Sequence, residues 1–577
     1  MRKRLGWMGL GAFFIIGVLG MGLWLSRLWW LSWLLRGILE ELPIDRLRYE
    51  NARWEGRTIT LYQVSLYKGA WRLHIDSLSF RIRRRPSLYL AKAYLSRNET
   101  TPSSPLPPSS PSNPLKLIQK ALNHLEKLDT FSVSHLLLSQ GLSCALLKRG
   151  DSLRLTVLYE SILLTLEAKK HNGYYEWALL PASLSLERLD MAWSSLKGSL
   201  DWRQDTLTLS ALGREIFIYH PRLAAQRLSY DSVGAVLNFA YSAPEWHLIF
   251  TPQALPLDFI LRAHGYGRDS FHLHLHIPPQ PFDAYQRAFP KGFFSVLSQA
   301  HLEGSSALDI QLHYNPRLPD TLNLEVSWKT RGFHIRSWPP PNPLMLREDF
   351  SYRPWGSART LLLSPKNPNY LTYYQIHPYV LFAILHSEDG GFFYHQGFHK
   401  ELFTRALLEN WRCKCFRRGA GTITMQLVRN LLLSRQKNLA RKVEEICLTA
   451  LIERFRLLSK ERILELYLNM VEWGPEIYGL TEASQFYFNK SPYDLALGEA
   501  IFLGLLLPSP RNYRYFIDDS THCAKESLGP AFERIGYFVH KANFVPEDSI
   551  RSLHPSRVCL MGPARRVFLP ADSLREE

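Results

Sequence analysis

From about residue 43 to residue 345 apolar and polar residues alternate, and this period of two narrows the fold more than any other feature of the chain. Thr58-Ile59-Thr60-Leu61-Tyr62, Trp71-Arg72-Leu73-His74-Ile75, Leu153-Arg154-Leu155-Thr156-Val157 and Leu322-Asn323-Leu324-Glu325-Val326 all carry it. Successive side chains of a strand point to opposite faces, so alternation marks a sheet with one face covered and one face wet. About 300 residues of it predict a large β-rich region. A Pro/Ser stretch at residues 101–114 interrupts the pattern and can hold neither a helix nor a ladder, so it reads as a linker. Leu115, Ile118, Leu122, Leu125 and Leu128 then fall on one face of an expected helix. His272, His274 and His276 share one face of an expected strand. Three imidazoles could bind a metal, but no carboxylate or Cys pattern stands near them in sequence, so the solvent face of a strand is the favoured reading.

A second Pro cluster, Trp338-Pro339-Pro340-Pro341-Asn342-Pro343, marks the next boundary, and beyond it the period lengthens. Leu439, Val443, Ile446, Cys447, Ala450 and Leu451 form an apolar stripe at helical spacing, with Arg441, Lys442, Glu444, Glu445 and Glu453 opposite. Residues 461–470, 480–488 and 496–507 read the same way. The expectation is an α+β multidomain chain with these segments: a basic start and membrane anchor over 1–36, a β-rich region over 43–337, a mainly helical domain over 346–515 and a C-terminal extension over 516–577. Residues 402–418 mix Phe403, Leu407, Leu408 and Trp411 with Arg405, Arg412, Lys414, Arg417 and Arg418. Such a segment suits a membrane surface or an ordinary solvated helix, and both readings stay open.

Charge and the N-terminus narrow the partners. The formal charge is +17, and residues 400–462 hold 15 Lys/Arg against 6 Asp/Glu, an excess of +9. That predicts an anionic partner. Arg2, Lys3 and Arg4 precede an uncharged run of 22 residues over 5–26, close to the ~20 a helix needs to cross a bilayer. The run exceeds the roughly 7–15 residues of a signal-peptide core and no small-x-small cleavage site follows, so an uncleaved single span is expected. The basic cluster keeps the N-terminus cytoplasmic and puts the bulk of the chain outside, which argues against nucleic acid as a partner. Trp29, Trp30 and Trp33 suit the interfacial belt. The six cysteines show no metal-ligand spacing; a redox or disulfide role stays open outside the cytoplasm, but six scattered residues read more simply as packing residues.

The chemistry concentrates in residues 384–510. An acidic pair stands ahead of Phe392, His395 and Gly397 as Glu388-Asp389. A small-residue loop opens a polar helix start, Gly419-Ala420-Gly421-Thr422-Ile423-Thr424-Met425-Gln426-Leu427, followed by Arg429 and Asn430. Then come Arg441-Lys442-Val443-Glu444-Glu445, Lys460, Ile463-Leu464-Glu465, Tyr467-Leu468-Asn469, Gly474, Gly479, Tyr487-Phe488, Lys490 and Glu499-Ala500. Each fragment alone has a bland reading: Glu388-Asp389 as acids at a helix end, Arg441 and Glu445 as a surface i,i+4 pair worth a few tenths of a kcal/mol, Tyr487-Phe488 as core.

Five blocks in this order over about 130 residues resemble the family 51 peptidoglycan glycosyltransferases of the monofunctional biosynthetic transglycosylase type. The resemblance implies a lysozyme-like helical domain that polymerises lipid II into β-1,4-linked glycan strands with inversion. It implies Glu388 as general base and Glu445 as the second catalytic glutamate, with Asp389, Thr422, Gln426, Arg429, Lys437, Arg441, Lys442 and Asn469 binding substrate. Forming the bond from a lipid pyrophosphate donor needs a base for the acceptor's 4-hydroxyl and positive charge for the departing pyrophosphate, which these residue types supply. A helix start after Gly419-Ala420-Gly421 could also aim N–H groups at the anion. No cofactor is required by the resemblance, with Mg or Mn as the divalent cation to consider. The implied partners are lipid II, the growing lipid-linked glycan chain, the membrane and other cell wall synthesis proteins. The implied location is the bacterial inner membrane, single-pass, with a periplasmic catalytic domain.

Several positions depart from the family pattern. His399 stands where Asp is usual, Gly421 where Ser is usual and Met425 where Gln is usual, while Arg429 and Lys437 exchange Lys and Arg. Transpeptidase motifs are absent after residue 515, and Ser194-x-x-Lys197 lies alone in the β-rich region, so no cross-linking is expected. The β-rich region together with an anchor resembles AsmA-like envelope proteins, which leaves a second reading open: an envelope scaffold or lipid-transfer protein with a degenerate glycosyltransferase domain. A glycan hydrolase is a third, but it would have no use for the cations.

Overall fold

The computed structural model describes residues 46–568, apart from 49, 56–57, 69–70, 82–86, 98–129, 140–141, 160–161, 187, 204, 268–269, 316–317, 319–321, 414–418 and 420. The expected anchor with its tryptophans, the 101–114 linker and the expected 115–128 helix lie outside the described residues. Among the described residues no helix is long and apolar enough to cross a membrane.

The chain is a mixed α/β protein and divides into two compact units. The first runs to Phe293 and adds Leu302–His334; the second takes Phe294–His301 and everything from Ile335 onward.

Among the described residues the first unit is one sheet of 20 strands in which sequential strands mostly pair antiparallel. The exception is the parallel pair Ser87–Arg97 with Thr130–Ser139, whose long connection is what a parallel pair requires. The predicted β-rich region is present, and its alternation shows most clearly in Trp71–Arg81, where Leu73 and Ile75 are buried between half-buried neighbours, while Leu228–Ser242 buries Val233, Gly234 and Ala235 in a row. Val64, Leu73, Ile75, Leu88, Leu90, Phe131 and Val133 meet in one buried cluster, and Trp177, Leu209, Ala235, Leu237 and Phe250 in another. Covering one face buries every second side chain at roughly 25 cal/mol per Å² of apolar surface, and the polar partners stay wet. A short helix, α1 (Phe282–Ala288), follows the strand Ser270–Pro281 and packs Ala284 with Leu257 and Ile277.

The second unit is mainly helical: α2 (Pro378–Glu388), α3 (Lys400–Cys413), α4 (Ile423–Leu431), α5 (Leu439–Arg454), α6 (Lys460–Met470), α7 (Leu480–Phe488), α8 (Leu497–Leu506), α9 (Gly529–Lys541) and α10 (Glu547–Arg551). Thr422, Asn438 and Ser459 start α4, α5 and α6 by accepting from first-turn N–H groups, and the polar residues before each apolar stripe fix where the helices begin. α2 and α8 are apolar nearly all round and form the middle of the unit. They approach so closely at Gly504 that a Cβ there would lie 2.4 Å from Ser387 Oγ and 3.3 Å from Ile384 Cα. Only glycine lets the two backbones meet, and this places the end of α2, which carries Glu388, against a rigid partner.

The reading of the cysteines as packing residues holds for the free Cys144, which packs against the first buried cluster, and for the free Cys447, and is corrected for the others described: Cys523 and Cys559 form a disulfide, and Cys413 is disulfide-bonded as well. The partner residues 523 and 559 are far apart in sequence and meet only through the fold, where their backbones also form a bridge.

Candidate active site

Glu388 ends α2, and Asp389 caps it. The Glu388 carboxylate is half-buried and accepts one hydrogen bond, from Gln426 Nε2 of α4 to Oε2 at 2.9 Å. Its Oε1 takes no hydrogen bond among the described residues. Gln426 is itself oriented by α6, since Tyr467, fully buried, donates its OH to Gln426 Oε1 at 3.3 Å. Burial pushes the Glu388 carboxyl above the ordinary 4.5, and the neighbouring Asp389 adds to that. The Gln426 bond and the Arg429 charge oppose it. The same burial pushes the Tyr467 phenol well above its ordinary value, so it stays a neutral donor.

Asp389 faces the other way. Its Oδ1 accepts from His395 Nε2 at 2.8 Å and its Oδ2 from the Ile423 N–H at 3.1 Å. The Gly397 N–H donates to His395 Nδ1 at 3.1 Å, so Nδ1 is the acceptor nitrogen and the proton sits on Nε2, toward Asp389. Asp389 is therefore the anion held at the start of α4, where the sequence reading put a phosphate. Thr422 donates to the Gly397 carbonyl at 2.8 Å and caps the helix through the Met425 N–H. Thr424 reaches Glu453 at 2.6 Å, and Lys460 reaches Glu453 at 2.8 Å, the His395 carbonyl at 3.0 Å and the Phe392 ring at 4.2 Å. α4 is the hub that ties the Glu388 loop to α5 and α6. Glu453 and Tyr467 were not among the predicted site residues, and the signal that could have found them was only their helical phase relative to α4.

The second charged group sits on α5. Glu445 is 1% exposed and is held between Arg441 Nη1 at 2.8 Å and Lys442 Nζ at 2.7 Å. This is a buried pair with a second cation, not the surface pair of the bland reading. The trio carries one net positive charge, and Arg441 Nε is buried with no acceptor among the described residues. Lys437, just before α5, is exposed. Asn469 lies elsewhere in the unit: its amide accepts from the Leu371 N–H at 2.8 Å and donates to the carbonyls of Leu371 and Glu465, both at 2.7 Å. The structure thus bonds Glu388 to Gln426 with the Asp389 and Arg429 charges near it, groups Arg441, Lys442 and Glu445 on α5, and gives Asn469 a backbone-bracing place. Of the unusual positions, Met425 is buried in the core, and a Cβ at Gly421 would meet nothing within 4 Å.

Residues 357–528 match the family described as Transglycosylase. Biosynthetic peptidoglycan transglycosylases are among the similar proteins. That of Ralstonia nicotianae is 37% identical over 190 residues, covering 33% of this chain and 79% of the relative. That of Nitrosomonas eutropha is 36% identical over 173 residues, 28% of this chain and 70% of the relative. The chain belongs to the transglycosylase family. The protein of this name from Acinetobacter baylyi is 41% identical over 132 residues, and the chain spans 58% of its length. The family match contains all of α2 to α8, so every charged group just described lies within the transglycosylase segment, while the 20-stranded sheet lies outside it.

No three ligating side chains converge among the described residues of this unit. Both oxygens of Asp389 and both of Glu445 already accept hydrogen bonds.

Proposed function

We propose that this transglycosylase polymerises lipid II into β-1,4-linked glycan strands for the cell wall. The observation that carries the reading is Glu388: a desolvated carboxylate, aimed by the Gln426–Tyr467 pair, with one oxygen unclaimed. A general base needs a lone pair free for the incoming proton and a pKa raised toward the working pH, and Glu388 has both. In the step proposed, the acceptor's 4-hydroxyl attacks the donor's anomeric carbon and passes its proton to Glu388 Oε1. The bond to the lipid pyrophosphate breaks on the opposite face, and the electron pair leaves with the pyrophosphate, which gives inversion. Arg441, with its unclaimed Nε, together with Lys442, Lys437 and Arg429 meets the charge that develops there. Glu445 fixes the geometry of Arg441 and Lys442 and keeps two adjacent cations from repelling each other. Asp389, with His395 and Thr422, holds the Glu388 loop against α4, and Asn469 braces the Leu371 loop.

The location proposed is the periplasmic face of the bacterial inner membrane, reached by the 5–26 span. A lipid-linked donor calls for a membrane-bound enzyme, and the Cys523–Cys559 disulfide fits an oxidising compartment. The exposed Phe403 on α3 fits a segment that meets the bilayer surface. The growing glycan chain and other cell wall synthesis proteins are the proposed partners. Any divalent ion is assigned to the pyrophosphate, not to the protein. The AsmA-like resemblance of the β-rich region is the basis for assigning it a spacer or lipid-contacting role.

The test is polymerisation of labelled lipid II by detergent-purified protein, with products resolved by length. Long strands from the wild type and none from Glu388→Gln support the proposal. A folded wild type that makes no strands under any condition refutes it and favours the scaffold or lipid-transfer reading.

A further inference from the structure

The sheet carries a histidine-rich face that the glycosyl transfer does not use. The strands Glu245–Gln253, Ile260–Tyr266, Ser270–Pro281 and His301–Tyr314 are consecutive antiparallel neighbours. Their register sets His247 opposite His264, His264 opposite His272 and His272 opposite His313. Side chains two apart on one strand share a face, so His274 and His276 stand beside this row. His276 pairs directly across with Asp309, and His274 lies diagonally from it.

From this geometry we infer that His274, His276 and Asp309 form a binding site for a divalent first-row transition ion, of which zinc is the best fit. Asp309 Oδ2 lies 2.8 Å from His274 Nε2 and 3.0 Å from His276 Nδ1, and the three ligand atoms lie within 4.8 Å of one another. In a tetrahedral zinc site with bonds of about 2.0–2.1 Å, ligand atoms sit about 3.3 Å apart, so Asp309 Oδ2 would back away by a few tenths of an ångström and the two imidazole nitrogens, no more than 4.8 Å apart, would close by up to about 1.5 Å to seat the ion. The set of two imidazoles and one carboxylate is a zinc donor set that leaves one coordination position open. The carboxylate is already oriented: Gln311 Nε2 donates to Asp309 Oδ1 at 3.1 Å, which turns Oδ2 to the imidazoles, as outer partners of metal ligands do. Side-chain exposures of 36% for His274, 47% for His276 and 30% for Asp309 give an ion a path from solvent. The sequence reading took these imidazoles as a solvent face because no carboxylate stood near them in the chain. The structure supplies one from the next strand, 33 residues from His276.

The bland alternative is a surface His–Asp hydrogen-bonded trio with no ion. To decide, the full chain, purified through a tag without histidines and stripped with chelator, is titrated with zinc by calorimetry and with cobalt by visible absorption. The expected results are one ion per chain, cobalt ligand-field bands of a four- or five-coordinate centre, and affinity lowered about 10-fold or more by His274→Ala and by Asp309→Asn. His247→Ala, in the imidazole row but outside the trio, leaves binding unchanged, and far-ultraviolet dichroism checks that each variant keeps its sheet. No binding at ~100 µM ion, a range in which even weak protein metal sites fill, overturns the inference. So does binding that His274→Ala and Asp309→Asn leave intact, or that His247→Ala abolishes.

Discussion

Glu444 offers the sharpest test of how the transferase unit holds itself together, because its neighbour on α5 is Glu445. Its buried carboxylate accepts four hydrogen bonds from one short segment: Ser295 N–H at 3.0 Å and Ser295 Oγ at 2.7 Å to Oε2, Val296 N–H at 2.6 Å and Leu297 N–H at 2.8 Å to Oε1. That segment starts a one-turn 3-10 helix, Leu297–Gln299, and Trp338 Nε1 fixes it from the other side through the Val296 carbonyl at 3.1 Å. Glu444→Gln keeps one acceptor oxygen for Val296 and Leu297 and turns an amide NH2 toward Ser295. The Ser295 hydroxyl can rotate to accept from that amide, but the Ser295 N–H cannot. One orphaned buried donor costs about 1–3 kcal/mol, and two bonds weakened from charged to neutral acceptor cost about 1 kcal/mol each, so the segment should be destabilised by about 3–5 kcal/mol. Each 1.4 kcal/mol is tenfold in an opening equilibrium, so native-state hydrogen exchange at Val296 and Leu297 should quicken by roughly a hundred- to a few thousand-fold. Ser295→Ala, which removes one hydroxyl and no N–H, should change it less, by about ten- to a hundredfold. Exchange within threefold of wild type in Glu444→Gln would refute the reasoning.

Other consequences can be checked separately. Burial raises the Glu388 pKa, so the folded state binds more protons than the unfolded state between the ordinary 4.5 and the raised value, and stability falls as pH rises through that window. Glu388→Gln should therefore raise the unfolding temperature at pH 7, with the gain vanishing below about pH 4, where the wild-type side chain is neutral in both states; a gain equal at both pH values would count against the assignment. Cys523–Cys559 closes a loop of 36 residues, which by chain entropy contributes about 3–4 kcal/mol, so thiol reductant should lower the urea midpoint of the helical unit, read through the buried Trp473. Gly504→Ala should destabilise by about 1–3 kcal/mol and slow polymerisation by displacing the end of α2, whereas Gly421→Ser, with open space for its Cβ, should fold as the wild type does and alter only KM; equal behaviour of the two variants in melting and strand-synthesis assays would contradict the packing argument.

The periodicities, and hence the elements, are written in the local order of residues. Alternation before residue 337 and helical stripes after it depend on which face of each segment is apolar, and that is local information. The helices over 460–470, 480–488 and 497–506 lie within a residue of where the stripes put them. Ordered motif blocks also singled out Glu388 and Glu445 as candidates, through the resemblance to a family and not through composition. What neighbours those residues was decided only in three dimensions. No local rule says that Asp389 takes the start of α4, that Asn469 braces a loop, or that Glu444 and Glu445, adjacent in sequence and both buried, face different partners. The same holds for Cys523 with Cys559, and for Asp309 with His274 and His276. Each of these pairs groups separated by a loop or a strand, and their meeting follows from how the elements pack and which register the strands take, which a single chain's pattern does not encode residue by residue.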